Sequence, residues 1–393
     1  MKQHLSIIIL SFILFACTSC NNNSTMNSSS TDTTQMDTSA SAIQLPSAKN
    51  FQTTIDGKQT NLYILKNGKM QVAITNYGAR VVSIIVPDKN GKLTDVAVGY
   101  DAVQPYAQGN DTYFGAVVGR YGNRIAKGKF RLNGNEYTLA INNAPNSLHG
   151  GNKGFSREVW DVQQPNDSSV ILTYLSKDGE EGYPGNLNVK VTYTVLNNQQ
   201  LEINYEATTD KPTVLNLTNH TYFNLNGQGS GTINNHLVMI NASNFTPVDS
   251  TLIPTGKIEK VKGTMLDFTT PKTIAENVND SSDQQIKFGH GYDHNFVLDT
   301  KDNLSAKAAE VIGDKSGIIM DVYTTQPGLQ FYGGNFMDGT HSIKNGKTDD
   351  RRTAFCMETQ HYPDSPNQPD FPSTTLKAGQ QYQSTTIYAF TAK

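Results

Sequence analysis

The sequence has few of the residues on which several common protein classes depend. It contains three cysteines in 393 residues, and only Cys356 lies beyond the first 20 residues. A disulfide within the folded part is therefore excluded, and stability must come from the burial of a core. Lys and Arg together number 32 against 35 Asp and Glu, which gives a net charge of −3. This balance argues against a nucleic-acid-binding protein, because such proteins normally carry a basic field.

Several catalytic signatures are also missing. The folded part has no HExxH or CxxC motif for a metal, no GxSxG nucleophile elbow, no Walker loop and no GxGxxG opening a helix. The candidate histidine ligands stand far apart in sequence, so only a metal site built from distant ligands stays open. Oxygen ligands for Ca²⁺ are abundant, but no EF-hand loop is present. A bound Ca²⁺ stays open, although no motif supports it.

The N-terminal residues are expected to direct export. The apolar run at residues 5–16 is too short for a comfortable membrane-spanning helix and fits the core of a signal peptide. It leads into the sequence LFAC, which resembles a bacterial lipobox with Cys17 as the lipidated residue and Cys20 as the competing site. The alternative is an ordinary secreted protein with two incidental cysteines.

Three segments follow from this pattern. Residues 1–20 are predicted to be a lipoprotein signal peptide, residues 21–48 a disordered polar tether, and residues 49–393 one folded domain. The tether is rich in Asn, Ser and Thr and buries too little apolar surface to offset chain entropy. We expect an exported monomer on the periplasmic or outer-membrane face, attached to the membrane only through its N-terminal lipid.

Signals for β-strands dominate residues 49–393. Asn67-Gly68 and Asn133-Gly134 separate β-rich runs and predict tight hairpins. Apolar and polar side chains alternate through residues 188–207, on both sides of an Asn-rich turn. Residues 302–312 are the best helix candidate, with a turn followed by a strand as the alternative. The pattern predicts an all-β fold, a large single-domain antiparallel β-sandwich.

Three histidines stand in unusual contexts. His149 lies in NSLHGG, where two glycines permit a close backbone approach, although a turn with a capping histidine fits equally well. His220 lies in LNLTNHTYFNL, which is either a strand entering a site or a buried hydrogen-bonded network. In GYDHNFVL, an extended chain turns either Asp293 or His294 toward a site, but not both. The histidines with plain polar surroundings, expected to be structural or exposed, are His236, His290 and His341.

One carboxylate is also placed distinctively. Glu358 ends the apolar run at residues 355–357, and four prolines follow it within residues 363–372. Proline rings fix φ, so they would stiffen this segment and hold Glu358 in one place. A glycosidase with Asp293 or Asp364 as its second carboxylate stays open at this point. The other groups suited to general acid–base chemistry on a neutral polar substrate are Arg124, His149 and His220.

At these residues the chain resembles the aldose 1-epimerase family, also called the galactose mutarotases. GRYGNRI, NSLHGG, TNHTYFNL, GYDHNFVL, TTQPGLQFYGGNF and ETQHYPDSPNQPDFP stand in the family's order, and the likeness extends over residues 51–392. The resemblance implies a galactose mutarotase-like supersandwich that needs no cofactor. It also implies interconversion of the α and β anomers of free hexoses such as galactose and glucose. The lipobox and Gly122, where the family often has Ala, are departures from the family pattern.

The same resemblance implies residue roles. Glu358 is implied to be the general base, ionised in the free enzyme, and His220 the protonated general acid; no metal ligand is implied. The residues implied to hold the sugar hydroxyls are Arg124, Asn123, His149, Asp293 and Gln330.

Other interpretations of the same sandwich stay open. They are a glycoside hydrolase or lyase and a non-catalytic sugar-binding lipoprotein. A hexose-6-phosphate epimerase would need cations around a phosphate, for which Arg351 and Arg352 are the candidates.

Overall fold

The described fold begins shortly before the boundary predicted at residue 49. The computed structural model describes residues 44–108 and 113–393. The predicted signal peptide, with Cys17 and Cys20, and residues 21–43 of the predicted tether lie outside the described residues. Ala48–Phe51 forms a 3-10 helix whose Phe51 is fully buried, and Leu45 packs against the same cluster. Within the described ranges, no helix is long and apolar enough to cross a membrane.

Three antiparallel sheets carry most of the fold. The nine-stranded sheet contains, in spatial order, Asp161–Asn166, Ser169–Ser176, Leu187–Leu196, Gln200–Thr209, Gln381–Ala392, Ile318–Thr324, Lys307–Ile312, Leu237–Ile240 and Lys272–Thr273. The seven-stranded sheet contains Glu259–Lys260, Asn244–Phe245, Asp293–Val297, Gly328–Tyr332, Phe355–Gln360, Tyr222–Phe223 and Ala97–Val98. The four-stranded sheet contains Leu62–Asn67, Met70–Thr75, Arg80–Pro87 and Leu93–Asp95.

Short pairs and single turns complete the described part of the chain. The two-stranded pairs are Thr53–Ile55 with Lys58–Thr60, Val117–Val118 with Thr218–Asn219, Arg124–Ile125 with Ser147–Leu148, Lys129–Leu132 with Asn135–Thr138, Thr213–Val214 with Thr375–Leu376, and Ser342–Ile343 with Lys347–Thr348. The α-helices are Val103–Ala107 and Gln284–Gly289. The remaining 3-10 turns are Ala126–Gly128, Phe155–Arg157, Glu180–Gly182, Ile274–Glu276, Lys344–Gly346 and Ser365–Asn367.

Strand alternation decides which side chains enter the core. In Leu187–Leu196 every second side chain is buried, starting from Leu187, because successive side chains of a strand point to opposite faces. The largest cluster of buried residues draws on all three sheets, as Val81, Val191 and Phe331 illustrate. The predicted all-β antiparallel sandwich is confirmed, and the described residues belong to one compact unit.

The local predictions have mixed outcomes. Both hairpins form, with Gly68 and Gly134 at the positive φ angles that tight turns require. The helix interpretation of residues 302–312 is wrong, and its alternative is correct, because a turn leads into the strand Lys307–Ile312. Backbone pairing on both edges and the burial of Ala308, Ala309 and Val311 outweigh the helix propensity of this segment.

Candidate active site

One cavity collects most of the predicted functional residues. Its volume is about 260 Å³. Six of the seven predicted acid–base and sugar-binding residues line it: Asn123, Arg124, His149, His220, Asp293 and Glu358. The lining residues that the sequence analysis missed are Tyr113, Asn143, Leu148, Tyr222, Tyr332, Phe336 and Met337.

Strand register holds Glu358 in the cavity. Glu358 lies in Phe355–Gln360, and its cross-strand partner is Gln330, which in turn pairs with Asn295. Directly paired side chains leave the same face of a sheet, so Asp293, two residues before Asn295, shares that face with Glu358. Hydrogen-bonded neighbouring strands, rather than the prolines that follow, therefore fix the position of Glu358.

The proline-rich segment supports a different residue. The N–H of Asp364 donates to the backbone carbonyl of Arg124 at 2.8 Å, and Oδ1 of Asp364 accepts the N–H of Ala126 at 2.9 Å. Asp364 thus fixes the backbone that carries Arg124 and does not line the cavity. It is not the second carboxylate that a glycosidase would need there.

The two alternatives in GYDHNFVL are now distinguished. Asp293 lines the cavity, whereas His294 is fully buried beside Phe245, with ring centroids 6.4 Å apart. Nδ1 of His294 accepts the backbone N–H of Asp293 at 3.2 Å. Asp293 is therefore the member of this pair that can meet a substrate.

Gln330 does not line the cavity, which corrects its predicted position among the sugar contacts. Its Nε2 donates to Oδ1 of Asp293 at 2.7 Å, and its Oε1 accepts from Gln360 at 3.4 Å. Gln330 lies on the correct face of the sheet, but behind Asp293. The alternation of the strand predicted its face and could not predict its depth.

A reciprocal pair of turns sets the positions of Arg124 and His149. The N–H of His149 donates to the carbonyl of Asn123, and the N–H of Asn123 donates to Nδ1 of His149, both at 3.1 Å. Asn123 and His149 have φ angles of 64° and 52°. Oδ1 of Asn123 accepts the N–H of Arg124, so this amide oxygen shapes the turn. The guanidinium of Arg124 is oriented by a hydrogen bond from Nε to Oδ1 of Asn143 at 3.1 Å.

The glycine that follows His149 allows two segments of the backbone to pack closely. A Cβ on Gly150, at a φ of 89°, would overlap the backbone carbonyl of Gly119. The close backbone approach predicted from NSLHGG is therefore a contact between two segments of this chain, and His149 lies at the cavity wall.

His220 lies between two short strands and is held by its own backbone. Its N–H donates to Ala116 at 2.8 Å, and its carbonyl accepts from Gly115 at 3.0 Å. Oδ1 of Asn219 accepts from the N–H and the hydroxyl of Thr221 in a buried network. Both interpretations of LNLTNHTYFNL are thus correct, because the network flanks a histidine that lines the cavity.

The imidazole of His220 contacts Glu358 directly. Its Nε2 lies 3.6 Å from Oε1 of Glu358, and both side chains are almost completely buried. Oε2 of Glu358 is buried and has no hydrogen-bond partner among the described residues. Because a buried acceptor without a partner is costly, this oxygen is an atom that a sugar hydroxyl would satisfy.

Burial also sets the protonation of this pair. It raises the pKa of Glu358 well above the ordinary range; the charge of Asp293 acts in the same direction and that of Arg124 opposes it. Burial lowers the pKa of His220 to about 3. Burial therefore favours the uncharged forms, a protonated Glu358 and a neutral His220, over the ion pair in the sugar-free cavity. This differs from the expected ionised Glu358 and protonated His220, although the pair holds one proton in either arrangement.

Two clusters of side chains bring potential metal ligands together. His149, His220 and Glu358 bring ligand atoms within 4.8 Å of one another, as do Asp338, His341 and Asp349. Nδ1 of His149 accepts a backbone N–H, so the proton of its neutral ring sits on Nε2 and blocks that nitrogen as a ligand. Both carboxylate oxygens of Asp349 already accept hydrogen bonds from His341. Neither cluster has the oxygen ligands, about six or more, that Ca²⁺ prefers.

The arginines considered for a phosphate lie elsewhere. Arg352 donates to Oδ1 of Asn279 at 2.7 Å, and Arg351 donates to the carbonyl of His290 at 3.1 Å. Neither residue lines the cavity, and among its described lining residues Arg124 is the only Lys or Arg. The site is therefore suited to a neutral polar molecule rather than to a phosphate.

Comparison with known proteins gives a consistent result. The sequence model described as "Aldose 1-epimerase" matches residues 61–389. The chain is 45% identical over 335 residues to the galactose mutarotase of Rattus norvegicus, covering 85% of this chain and 95% of the relative. It is 37% identical over 342 residues to the aldose 1-epimerase of Escherichia coli (strain K12), covering 86% and 97%.

A solved structure shares the fold as well. The aldose epimerase homologue from C. elegans superposes with a TM-score of 0.79 at 30% identity, covering 85% of this chain and 99% of that one. The matched residues include every strand that borders the cavity and all six of the predicted residues that line it. This chain is a member of the aldose 1-epimerase family.

Proposed function

We propose that the protein interconverts the α and β anomers of free hexoses by general acid–base catalysis, with galactose and glucose as the first candidates. The observation that carries this proposal is the buried contact between Glu358 and His220 in a cavity lined by polar groups. The names of the relatives in rat and E. coli support the same activity. The name of the rat relative, galactose mutarotase, agrees with galactose as a candidate substrate.

The reaction needs one base and one acid on opposite ends of a breaking bond. Ionised Glu358 takes the proton of the anomeric hydroxyl, and Nε2 of protonated His220 gives a proton to the ring oxygen. The C1–O5 bond breaks, and the product is the open-chain aldehyde with a protonated Glu358 and a neutral His220. After C1 rotates, the O5 hydroxyl attacks the other face of the carbonyl. Both protons return to their starting groups, and the other anomer forms.

The charge state favoured in the sugar-free cavity has a place in this cycle. Protonated Glu358 with neutral His220 is the arrangement that the pair reaches when the ring is open. Binding of a closed sugar therefore has to move one proton from Glu358 to His220, over the 3.6 Å that separates Oε1 from Nε2. The hydroxyls of the sugar assist this step if they donate to the carboxylate, because hydrogen bonds to the ionised form lower its pKa.

The other polar residues of the cavity are suited to hold the ring hydroxyls. Asp293 and Arg124 supply an acceptor and a donor, and neutral His149 presents an N–H at Nε2. Gln330 acts through Asp293 rather than on the sugar. The rings of Tyr113, Tyr222, Tyr332 and Phe336 provide apolar surface for the faces of a pyranose.

The test is polarimetry on the purified full chain in detergent. Fresh α-D-galactose or α-D-glucose is added, and the approach to anomeric equilibrium is compared with buffer and with Glu358→Gln. We expect a loss of about 10²–10⁴ in turnover for this variant. Asp370→Asn is the matched control, since it makes the same chemical change at an exposed residue of the same segment. A near-normal rate in Glu358→Gln would move the base elsewhere, and no acceleration by the natural chain would refute the epimerase.

Two alternative functions would give different results with the same protein. Hydrolysis of a nitrophenyl glycoside would indicate a glycoside hydrolase. Sugar binding without turnover would indicate a non-catalytic sugar-binding lipoprotein.

We also propose that the protein is an exported monomer, anchored through lipid on Cys17. The apolar run before Cys17 and the polar stretch after it support this location. Metabolic labelling with a fatty acid should mark the natural chain and fail in Cys17→Ser. Labelling that is lost only in Cys20→Ser would assign the lipid to Cys20. Absence of labelling in the natural chain would refute the anchor.

A further inference from the structure

The two ring nitrogens of His220 face different partners. Nε2 lies 3.6 Å from Oε1 of Glu358, and Nδ1 lies 3.4 Å from Sγ of Cys356. Cys356 and Glu358 are two residues apart in Phe355–Gln360, so both side chains leave the same face of the sheet. One strand thus supplies a contact to each nitrogen of the same imidazole.

The sulfur is sealed from solvent and remains a thiol. Cys356 is fully buried, and its cross-strand partners are Tyr222 and Tyr332. Burial raises the pKa of the thiol well above its ordinary value, and the charges of Glu358 and Asp293 act in the same direction. A buried neutral thiol is neither a nucleophile nor a metal ligand. What it offers to His220 is a weak hydrogen bond.

The acid–base cycle decides the direction of that bond. Nε2 of His220 has to carry a proton when the ring is closed and lack it when the ring is open. A neutral imidazole with a free Nε2 holds its proton on Nδ1, so Nδ1–H has to donate and the sulfur has to accept. In the other tautomer Nε2 would stay protonated, and it could not take a proton back from the sugar.

We propose that Cys356 is a positioning residue whose sulfur accepts a hydrogen bond from Nδ1–H of His220, which keeps Nε2 available for proton exchange. The inference rests on the acid–base roles proposed above. Sulfur is a weak acceptor, so it selects the tautomer without stabilising the imidazolium as a carboxylate would. His220 therefore remains a strong acid, which protonation of a weakly basic ring oxygen requires.

Other charged and titratable groups also face His220, and the test has to hold them constant. The groups that contact its ring or act on its charge, apart from Cys356, are the backbone carbonyl of His220 itself and the side chains of Glu358, His149, Arg80, Tyr113, Tyr222 and Tyr332. All of them are retained in each variant of Cys356, so a change of tautomer reports on the sulfur.

The decisive measurement is ¹⁵N NMR of the full chain labelled at histidine, with the signals of His220 assigned by their loss in His220→Asn. At neutral pH, the natural chain should show a protonated Nδ1 and an unprotonated Nε2. Cys356→Ala should move the proton toward Nε2 and lower kcat by about fivefold, the effect expected from the loss of one hydrogen bond. Cys356→Ser retains an acceptor and should restore both the tautomer and most of the rate.

The control variant and the refuting results do not depend on whether the proposed function is correct. Met357→Leu changes a buried neighbour on the opposite face of the strand and should leave the tautomer of His220 unchanged. A proton on Nε2 in the natural chain, or an unchanged tautomer in Cys356→Ala, would overturn the role of Cys356. If Cys356→Ala does not fold, the natural chain and Cys356→Ser still decide. Absence of epimerase activity in the natural chain would refute the proposed function, while the NMR result would stand by itself.

Discussion

The pH dependence of turnover distinguishes the protonation states derived from the structure from those expected from the sequence. If Glu358 and His220 had ordinary pKa values of about 4.3 and 6.5, the active pair would exist only between those values. The value of kcat/KM would then fall about tenfold between pH 5.5 and 7.5, as His220 lost its proton.

The buried pair predicts a different curve. A second proton enters only near the lowered pKa of His220, at about 3, and the single proton leaves only at the raised pKa of Glu358. Between these limits the pair holds one proton, so its net charge is constant. Because kcat/KM reports the free enzyme, we expect no fall centred on the ordinary pKa of histidine; the acid limit lies near pH 3, and the alkaline limit follows the raised pKa of Glu358.

The assay is initial-rate polarimetry at several pH values, with the rate in buffer alone subtracted at each pH. Unfolding is monitored in the same buffers, so that a loss of folded protein is not mistaken for a titration. A tenfold fall centred near pH 6.5 would refute the argument from burial, and it would restore the protonation states expected from the sequence.

Three further predictions use the same protein. His220→Asn should lower kcat by about 10²–10⁴ and change KM by less than about tenfold, as measured by polarimetry over a range of sugar concentrations; an unchanged kcat would remove His220 from the acid role. Gln330→Met should raise KM by about fivefold in the natural chain but have little effect on top of Asp293→Ala, which removes the oxygen that accepts its hydrogen bond; full additivity would contradict this. The folded pKa of Glu358 is raised, so its contribution to stability is complete below its unfolded pKa and is lost as the pH rises through the folded value. Thermal unfolding should therefore show that the stability of Glu358→Gln, relative to that of the natural chain, rises between pH 4 and pH 8. An equal difference in stability at both pH values would exclude a raised pKa.

The sequence was most informative where a side chain's face depends on strand alternation. Tight Asn-Gly turns and period-two patterns predicted the hairpins and the antiparallel sandwich. Five of the six motifs of the resemblance supplied the six predicted residues that line the cavity, and the other motif supplied Gln330, which lies behind Asp293. Tyr332 could have been found in the same way, because it lies two residues after Gln330 on one strand and therefore on the same face.

The sequence could not predict how deep a side chain lies or how burial changes its protonation. Gln330 and Asp293 share a face, yet only the packing of neighbouring strands shows that one lies behind the other. The protonation of Glu358 and His220 depends on burial, which no local pattern reports. The contact between Cys356 and His220 joins residues 136 positions apart, so no local pattern could place this thiol beside the histidine.

The isolation of the Glu358–His220 pair has a consequence for how turnover depends on its surroundings. In free solution, dissolved acids and bases relay protons to and from a sugar, so anomerisation speeds up as buffer is added. In the proposed cycle, both protons return to the groups that gave them, and the pair exchanges none with the medium. The catalysed rate should therefore be the same in dilute and concentrated buffer, and turnover would not depend on the supply of protons around the protein.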